Sequence, residues 1–159
     1  MRIRSITTKG SVAVITFVLV QSPARAQSAL PLAATTVPST QLIQPEELKT
    51  MLNSTRVVQP LILQVGSRVM FDQAHIPTSE YVGPGSREDG LYLLRDRVKT
   101  LAKNRFIVLY CGCCPWNRCP NLGGAYKTLS GLGFTNVKVL YIADNFGSDW
   151  VSKGYPVAH

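Results

Sequence analysis

All four cysteines of the chain lie within one short segment, from Cys111 to Cys119. A deprotonated thiol is a strong nucleophile, neighbouring thiols can exchange a disulfide, and several thiolates together can bind soft metal ions. Disulfides within so short a segment would tie no distant parts of the chain together, so a role in global stability is disfavoured. The clustering therefore predicts chemistry at this segment, which we call the cysteine loop.

Cys111 stands where a predicted strand meets a predicted helix. Phe106–Tyr110 is apolar, β-branched or aromatic throughout, which indicates a buried strand, and Pro120 begins a helical pattern. Loops at this position of an open α/β sheet bind ligands. A thiol facing a helix N-terminus has a lowered pKa, because free N–H groups and the helix dipole stabilise the thiolate. We therefore predict that Cys111 is a nucleophile that can hold sulfane sulfur as a persulfide, with a buried inert thiol as the alternative.

The remaining cysteines could act on Cys111 or on one another. Cys111 and Cys114 have the Cys-x-x-Cys spacing of reversible disulfides, and Cys119 is a second candidate resolving thiol. A fixed bridge between Cys114 and Cys119 that shapes the loop is the alternative. Four thiols could also bind Zn²⁺ or Cu⁺, but one short loop with adjacent cysteines lacks the separated pairs of a zinc site. The sequence therefore predicts no metal.

Three other loop residues are candidates for contact with a substrate. Arg118 can offer a planar fork of donors to thiosulfate, sulfite or another oxyanion, with a solvent-facing cation as the alternative. Backbone N–H groups around Gly112 would stabilise the leaving anion. Trp116 would wall the pocket, contact a partner or pack in the core. Outside the loop, His75 is expected to be a hydrogen-bonded structural residue of a turn.

Strands alternate with helical segments along the rest of the chain. The predicted strands are Leu61–Val65, Tyr81–Val82, Phe106–Tyr110 and Val137–Ile142. Helices are predicted from Pro45, over Asp89–Ala102, from Pro120 to Gly131 or Gly133, and over Ser148–Lys153, with a compact turn at Phe71–Pro77. This alternation predicts an α/β fold, namely a small open sheet, mostly parallel, with helices on both faces.

The first 26 residues have the features of a secretory signal peptide. A basic start precedes the short apolar run Ser11–Val20 and a small-x-small cleavage site at Ala24–Ala26. Residues 27–43 are predicted to be a flexible lead-in, and residues 44–159 to form one domain. Export predicts a periplasmic protein in an oxidising compartment, without membrane attachment after cleavage; an uncleaved anchor is the alternative.

The formal net charge of +8 is lower in the predicted mature chain, where 13 Lys and Arg face 9 Asp and Glu. The basic residues are scattered, and the sequence carries no nucleic-acid-binding motif. We therefore predict no nucleic-acid partner, while the positive charge would draw small anions toward the loop.

Five motifs follow one another along most of the predicted domain. They are Leu61-Ile-Leu-Gln-Val65, His75-Ile-Pro77, Ile107-Val-Leu-Tyr-Cys111, Gly133-Phe-Thr-Asn-Val137 and Trp150 with Gly154-Tyr-Pro-Val157. Their order resembles that of the rhodanese family. The resemblance implies a small parallel α/β domain and sulfur transfer through a persulfide on Cys111. Cys113 is the alternative nucleophile, because Cys113 and Arg118 have the Cys-x4-Arg spacing common in rhodanese loops.

Three departures from the family pattern indicate a subtype with a cysteine-rich loop. Gln64-Val-Gly66 stands where the family's strand commonly ends Asp-Val-Arg, and Ala74 stands where Gly usually precedes the turn histidine. The loop between strand and helix is also longer than usual. These changes surround the site, so they bear on the reaction more than on the fold.

The predicted function is that of a periplasmic sulfurtransferase without a cofactor. Its substrate would be a small sulfur-containing anion such as thiosulfate, and a periplasmic redox or sulfur-acceptor protein is a candidate partner. The alternatives are a thiol–disulfide oxidoreductase using Cys111 and Cys114, and a non-catalytic binding or metal-carrier domain. Phosphatase or arsenate reductase chemistry is disfavoured, because the span from Cys111 to Arg118 is too long for a phosphate-sized loop and contains a proline.

Overall fold

The sheet has five strands in the computed structural model, which describes residues 37–56 and 58–159; the predicted signal peptide and most of the lead-in lie outside these residues. The strands are β1 (Leu42–Ile43), β2 (Leu61–Gln64), β3 (Glu80–Tyr81), β4 (Ile107–Tyr110) and β5 (Val137–Leu140). Their order in the sheet is β1-β5-β4-β2-β3. All four pairings are parallel, which confirms the predicted α/β class.

Strand β4 lies at the centre of the sheet, with β2 on one side and β5 on the other. The register places Leu109 of β4 opposite Leu63 and Val139. All four residues of β4 are buried. A strand that is apolar on both faces is typical of a parallel sheet covered by helices on both sides. The cysteine loop therefore leaves the sheet at the middle of its carboxyl edge.

Helices cover both faces of this sheet, as predicted. The described α-helices are α1 (Pro45–Leu52), α2 (Arg68–Gln73), α3 (Glu88–Val98), α4 (Pro120–Gly131) and α5 (Phe146–Asp149). Leu94 of α3 and Leu122 of α4 pack on one face together with Cys111. Leu48 of α1 and Trp150, just after α5, pack on the other. No helix among the described residues is long and apolar enough to cross a membrane.

Besides shifts of one or two residues at strand ends, the observed elements differ from the predicted ones in four places. The predicted last helix, Ser148–Lys153, is α5 (Phe146–Asp149) followed by a 3-10 turn (Val151–Lys153). Helix α2 occupies part of the predicted compact turn, and an ion pair between Arg68 and Asp72, at 2.9 Å, joins successive turns of it. Strand β1 lies within the predicted lead-in, because a two-residue strand leaves no periodic signal. Helix α3 ends at Val98, four residues early, because the Leu101 N–H turns back to the Val98 carbonyl.

Candidate active site

The cysteine loop is anchored at two points to the segment that follows β5. The Phe146 N–H donates to the Gly112 carbonyl at 2.9 Å, and the Trp116 N–H donates to the Ile142 carbonyl at 2.9 Å. Gly112 has a φ of +83°, and a Cβ there would lie 2.9 Å from Cβ of Phe146. Only glycine fits this turn without strain. The chain is thereby bent sharply after Cys111, so that the following cysteines face back toward it.

This bend brings the sulfur atoms together. Sγ of Cys113 lies 3.2 Å from Sγ of Cys111 and 3.0 Å from Sγ of Cys114. The sulfurs of Cys111, Cys113 and Cys119 all lie within 4.8 Å of one another. We call these three residues the sulfur cluster. The contact of Cys111 is with Cys113, rather than with Cys114 as the Cys-x-x-Cys spacing suggests.

Two of the clustered cysteines are buried and one is exposed. Cys111 is 2% exposed and Cys119 is fully buried, whereas Cys113 is exposed. Cys111 fits because Gly66, at the end of the neighbouring strand, has no side chain: a Cβ there would lie 2.8 Å from Sγ of Cys111. Gly66 occupies the position of the Arg in the Asp-Val-Arg pattern. The departure from that pattern therefore makes room for a buried sulfur.

Two amide side chains hold Cys111 in place, and the sequence did not predict a role for either. The Asn121 amide donates to Sγ of Cys111 at 3.4 Å, while its oxygen accepts from the N–H and hydroxyl of Ser86. Gln64 donates to the Cys111 carbonyl at 3.1 Å and accepts from the Gly66 N–H. A glutamine inside an apolar strand is a signal that could have been read, since buried amides need partners. Asn121 becomes recognisable only once α4 is placed.

Of the three clustered thiols, Cys113 is the one whose ionisation its surroundings favour. Its pKa is lowered, because the thiols of Cys111 and Cys119 donate hydrogen bonds to the Cys113 thiolate. The pKa of Cys111 is raised by the same hydrogen bond with Cys113, and burial adds to the rise. The pKa of Cys119 is raised by its hydrogen bonds to the other two sulfurs. The expectation that the pKa of Cys111 is lowered is therefore wrong, because its hydrogen bond with Cys113 and its burial both disfavour the Cys111 thiolate.

Arg118 and Trp116 form the short 3-10 turn that ends the loop. Arg118 is exposed, and no acidic side chain of the described residues forms an ion pair with it. Its role toward an anion stays a prediction. Trp116 is half-buried and packs against the core that contains Cys111 and Cys119, with its ring 6.4 Å from that of Tyr141. His75 bonds the Phe71 carbonyl at 2.9 Å and stacks on the Phe71 ring, which confirms its structural role.

Solved structures with the same fold come from bacteria and yeast. The Alr3790 protein from Anabaena sp. is 22% identical, with 73% of this chain and 81% of that chain covered and a TM-score of 0.55. The single-domain sulfurtransferase RDL2 of Saccharomyces cerevisiae is 13% identical, with 76% and 94% covered and a TM-score of 0.53. RPA3614 of Rhodopseudomonas palustris, a possible tyrosine phosphatase, is 16% identical, with 74% and 84% covered and a TM-score of 0.53. At these identities the likeness shows the fold alone.

At the level of sequence, no curated protein matches the chain significantly. The family profile described as the rhodanese-like domain matches residues 44–141. That span is more than half of the chain, and it runs from the start of α1 through β5 with the cysteine loop inside it. The chain belongs to the rhodanese-like domain family.

Proposed function

We propose that this rhodanese-like domain is a sulfurtransferase that carries sulfane sulfur on Cys113. The observation that carries the proposal is an exposed sulfur hydrogen-bonded by two buried thiols at the carboxyl edge of the sheet. The sequence favoured Cys111 and kept Cys113 as the alternative. Burial of Cys111 and the opposite directions of the two pKa shifts support Cys113, because the thiolate is the reactive form of a cysteine.

The reaction needs the thiolate, a sulfur donor and a sulfur acceptor. The Cys113 thiolate attacks the outer sulfur of thiosulfate, a new sulfur–sulfur bond forms, and sulfite leaves with the electron pair of the broken bond. A thiophilic acceptor, such as a thiolate or cyanide, then attacks the outer sulfur of the persulfide. That bond breaks, and its electron pair returns to Cys113 as the thiolate. No external oxidant or reductant is consumed.

The surroundings of Cys113 supply the electrostatics. The thiols of Cys111 and Cys119 donate to the Cys113 thiolate, which lowers the pKa of Cys113 and favours its ionised, reactive form. The exposed guanidinium of Arg118 would hold the sulfonate end of thiosulfate. One structural neighbour is itself a single-domain sulfurtransferase, so the fold is compatible with this reaction class. We place the protein in the periplasm, where a redox protein or sulfur acceptor would be its partner; the predicted signal peptide supports this placement.

The test is mass spectrometry of the chain from residue 27, reduced and then exposed to thiosulfate. We expect one added sulfur atom, which peptide mapping assigns to Cys113. Cys113→Ser should abolish the addition, and Cys114→Ser, the matched control beside it, should retain it. Sulfur mapped to Cys111, with loss of uptake only in Cys111→Ser, would overturn the assignment. A wild-type chain that accepts no sulfur from thiosulfate, and releases none to cyanide, would overturn the sulfurtransferase proposal.

A thiol–disulfide oxidoreductase is the second candidate, favoured by the sulfur contacts themselves. Cys113 touches both Cys111 and Cys114, at 3.2 and 3.0 Å. Cys113 is therefore the exchange partner, in place of the predicted pair of Cys111 and Cys114. Equilibration in glutathione buffers with counting of free thiols tests this. Reversible loss of two thiols at a defined potential, with no uptake of sulfur from thiosulfate, would favour the oxidoreductase.

A further inference from the structure

Three of the four loop sulfurs converge on one point, and the fourth does not. Cys111, Cys113 and Cys119 form a triangle in which no two sulfurs are more than 4.8 Å apart, and those of Cys111 and Cys113 are 3.2 Å apart. Within the described ranges, no histidine or carboxylate joins this group. Sulfur transfer uses one of these sulfurs as nucleophile and the other two only as hydrogen-bond donors, so it makes no use of three sulfurs as ligands to one point.

We propose that the sulfur cluster binds a single Cu⁺ ion in three-coordinate geometry. Thiolates select soft ions such as Cu⁺, and a bond of about 2.3 Å to each of three sulfurs puts those sulfurs about 4 Å apart. The three sulfurs already lie within 4.8 Å of one another, and those of Cys111 and Cys113 are 3.2 Å apart, so small adjustments of the side chains would complete the site. Zn²⁺ prefers four ligands, and the sequence argument against metal was an argument against four. It does not apply to three.

The protein backbone holds the two buried ligands from different elements. Cys111 follows the central strand β4, and Cys119 immediately precedes α4, where its carbonyl accepts the Gly123 N–H. Cys113 lies between them on the loop and is exposed, which gives the ion a path of entry. A site made from the end of a strand, a loop and the start of a helix is already folded before the ion arrives.

Hydrogen-bond donors offset the negative charge of three thiolates around a monovalent ion. The Asn121 amide donates to Sγ of Cys111, and Asn121 is itself fixed by two hydrogen bonds from Ser86. The twelve-residue helix α4 begins directly after Cys119, and the positive end of its dipole also favours negative charge there. Outer contacts of this kind orient ligands and tune affinity in metal sites.

The same sulfurs serve both proposals, so the ion and a persulfide exclude each other. Cu⁺ binding engages Cys113 and would block sulfur uptake, and a persulfide on Cys113 would remove one ligand. Cu⁺ binding is nevertheless measured directly, and a failure of sulfur transfer would leave it untouched. Cys114, which lies beside Cys113 but outside the triangle, is the matched control.

The experiment is an anaerobic titration of the fully reduced chain from residue 27 with Cu⁺, in competition with bicinchoninate. We expect one Cu⁺ per chain, near-ultraviolet thiolate-to-copper absorption, and three sulfur neighbours by X-ray absorption spectroscopy. Cys113→Ser should lower the affinity at least about tenfold, and Asn121→Ala should lower it by about tenfold through its outer contact. Cys114→Ser should leave it unchanged.

Three outcomes would overturn the proposal. One is Cu⁺ held by only two sulfurs in the wild-type chain, a readout that no variant's folding can disturb. Another is a loss of affinity in Cys114→Ser equal to that in Cys113→Ser. The last is tighter binding of Zn²⁺ than of Cu⁺, with a nitrogen or oxygen neighbour completing four-coordination.

Discussion

The two ends of the sheet differ in how their polar groups are satisfied. At the amino end of β2 and β4, an open groove of about 830 Å³ is lined by Glu80, Arg97 and Arg105 among others. There Arg97 and Glu80 form a two-pronged ion pair with each other. At the carboxyl end, the sulfur cluster is crowded, and hydrogen bonds from neutral thiols stabilise its negative charge. Glu80, the one carboxylate among the described residues that line the groove, is already paired with Arg97, so volume alone does not locate the chemistry of this domain.

The largest effect that tests this contrast is on thiol reactivity. Below about pH 8.5, the thiolate fraction of an ordinary thiol falls about tenfold for each pH unit. Because hydrogen bonds from its neighbours lower the pKa of Cys113, its alkylation rate should stay nearly constant down to about pH 6.5. Alkylation of Cys111, whose pKa is raised, should be far slower. Iodoacetamide labelling followed by peptide mapping measures both rates.

The control for this measurement is Cys114→Ser, in which the fast reaction should persist, whereas Cys113→Ser should remove it. A rate at Cys113 that falls tenfold with each pH unit would mean that the charge of the cluster resides on another sulfur. The carboxyl end would then lack an exposed thiolate stabilised by neutral thiols, which is the feature that distinguishes it from the groove.

The next effect is on stability, and it tests how crowded the carboxyl end is. In Gly66→Ala, the new methyl group would lie 2.8 Å from Sγ and 2.9 Å from the carbonyl oxygen of Cys111. We expect this overpacking to lower the free energy of unfolding by about 1–3 kcal/mol. Urea denaturation measures it.

Gly131→Ala is the matched control, because a Cβ at Gly131, at the end of α4, meets no atom within 4 Å. Alanine favours helix, so this variant should be neutral or more stable by up to about 1 kcal/mol. Equal, small changes in both variants would mean that the sulfur cluster has room to spare.

The smallest effect belongs to the groove. The Glu80 and Arg97 side chains are 42% and 36% exposed, so Glu80→Gln should lower the free energy of unfolding by at most about 1 kcal/mol. Hydrogen bonds from Arg97 lower the pKa of Glu80 from its ordinary value of 4.5. The stabilisation is therefore complete above that ordinary value, and it disappears as the pH falls through the lower folded-state value. Urea denaturation at neutral and acidic pH should show the difference between wild type and variant vanish in acid.

The same variant also tests whether the two ends of the sheet are coupled. Labelling of Cys113 in Glu80→Gln should proceed at the wild-type rate, because no described contact of Glu80 reaches the sulfur cluster. A changed labelling rate would mean that the two ends of the sheet are energetically coupled and do not act independently.

The sequence predicted the fold well, because apolar runs, and the prolines and glycines that begin or end them, determine local structure. The central strand before Cys111 and the helix that begins at Pro120 were both found in this way. Strand β1 was missed, because two residues carry no period and their pairing with β5 is a long-range contact. Part of helix α2 was taken for a turn, because a helix of six residues is too short to show an amphipathic pattern.

The site could be located from the sequence, but its electrostatics could not. Clustering of cysteines at a strand end pointed to the right loop. Which sulfur ionises depends on distances between atoms, and these follow from the positive φ of Gly112 and from the packing of Cys111 beneath Gly66. The amide of Asn121 reaches Cys111 only because α4 is held against β4. Tertiary placement of this kind has no counterpart in spacing along the chain.

The double anchoring of the cysteine loop sets a condition for protein engineering. The carbonyls and amides that shape the loop find their partners at Ile142 and Phe146, in a different stretch of sequence. Transplanting the loop alone into another rhodanese-like domain would leave Gly112 and Trp116 with orphaned backbone groups, each at a cost of about 1–3 kcal/mol. A graft that keeps the arrangement of sulfurs must carry residues 111–119 and 142–146 together, as one two-part module.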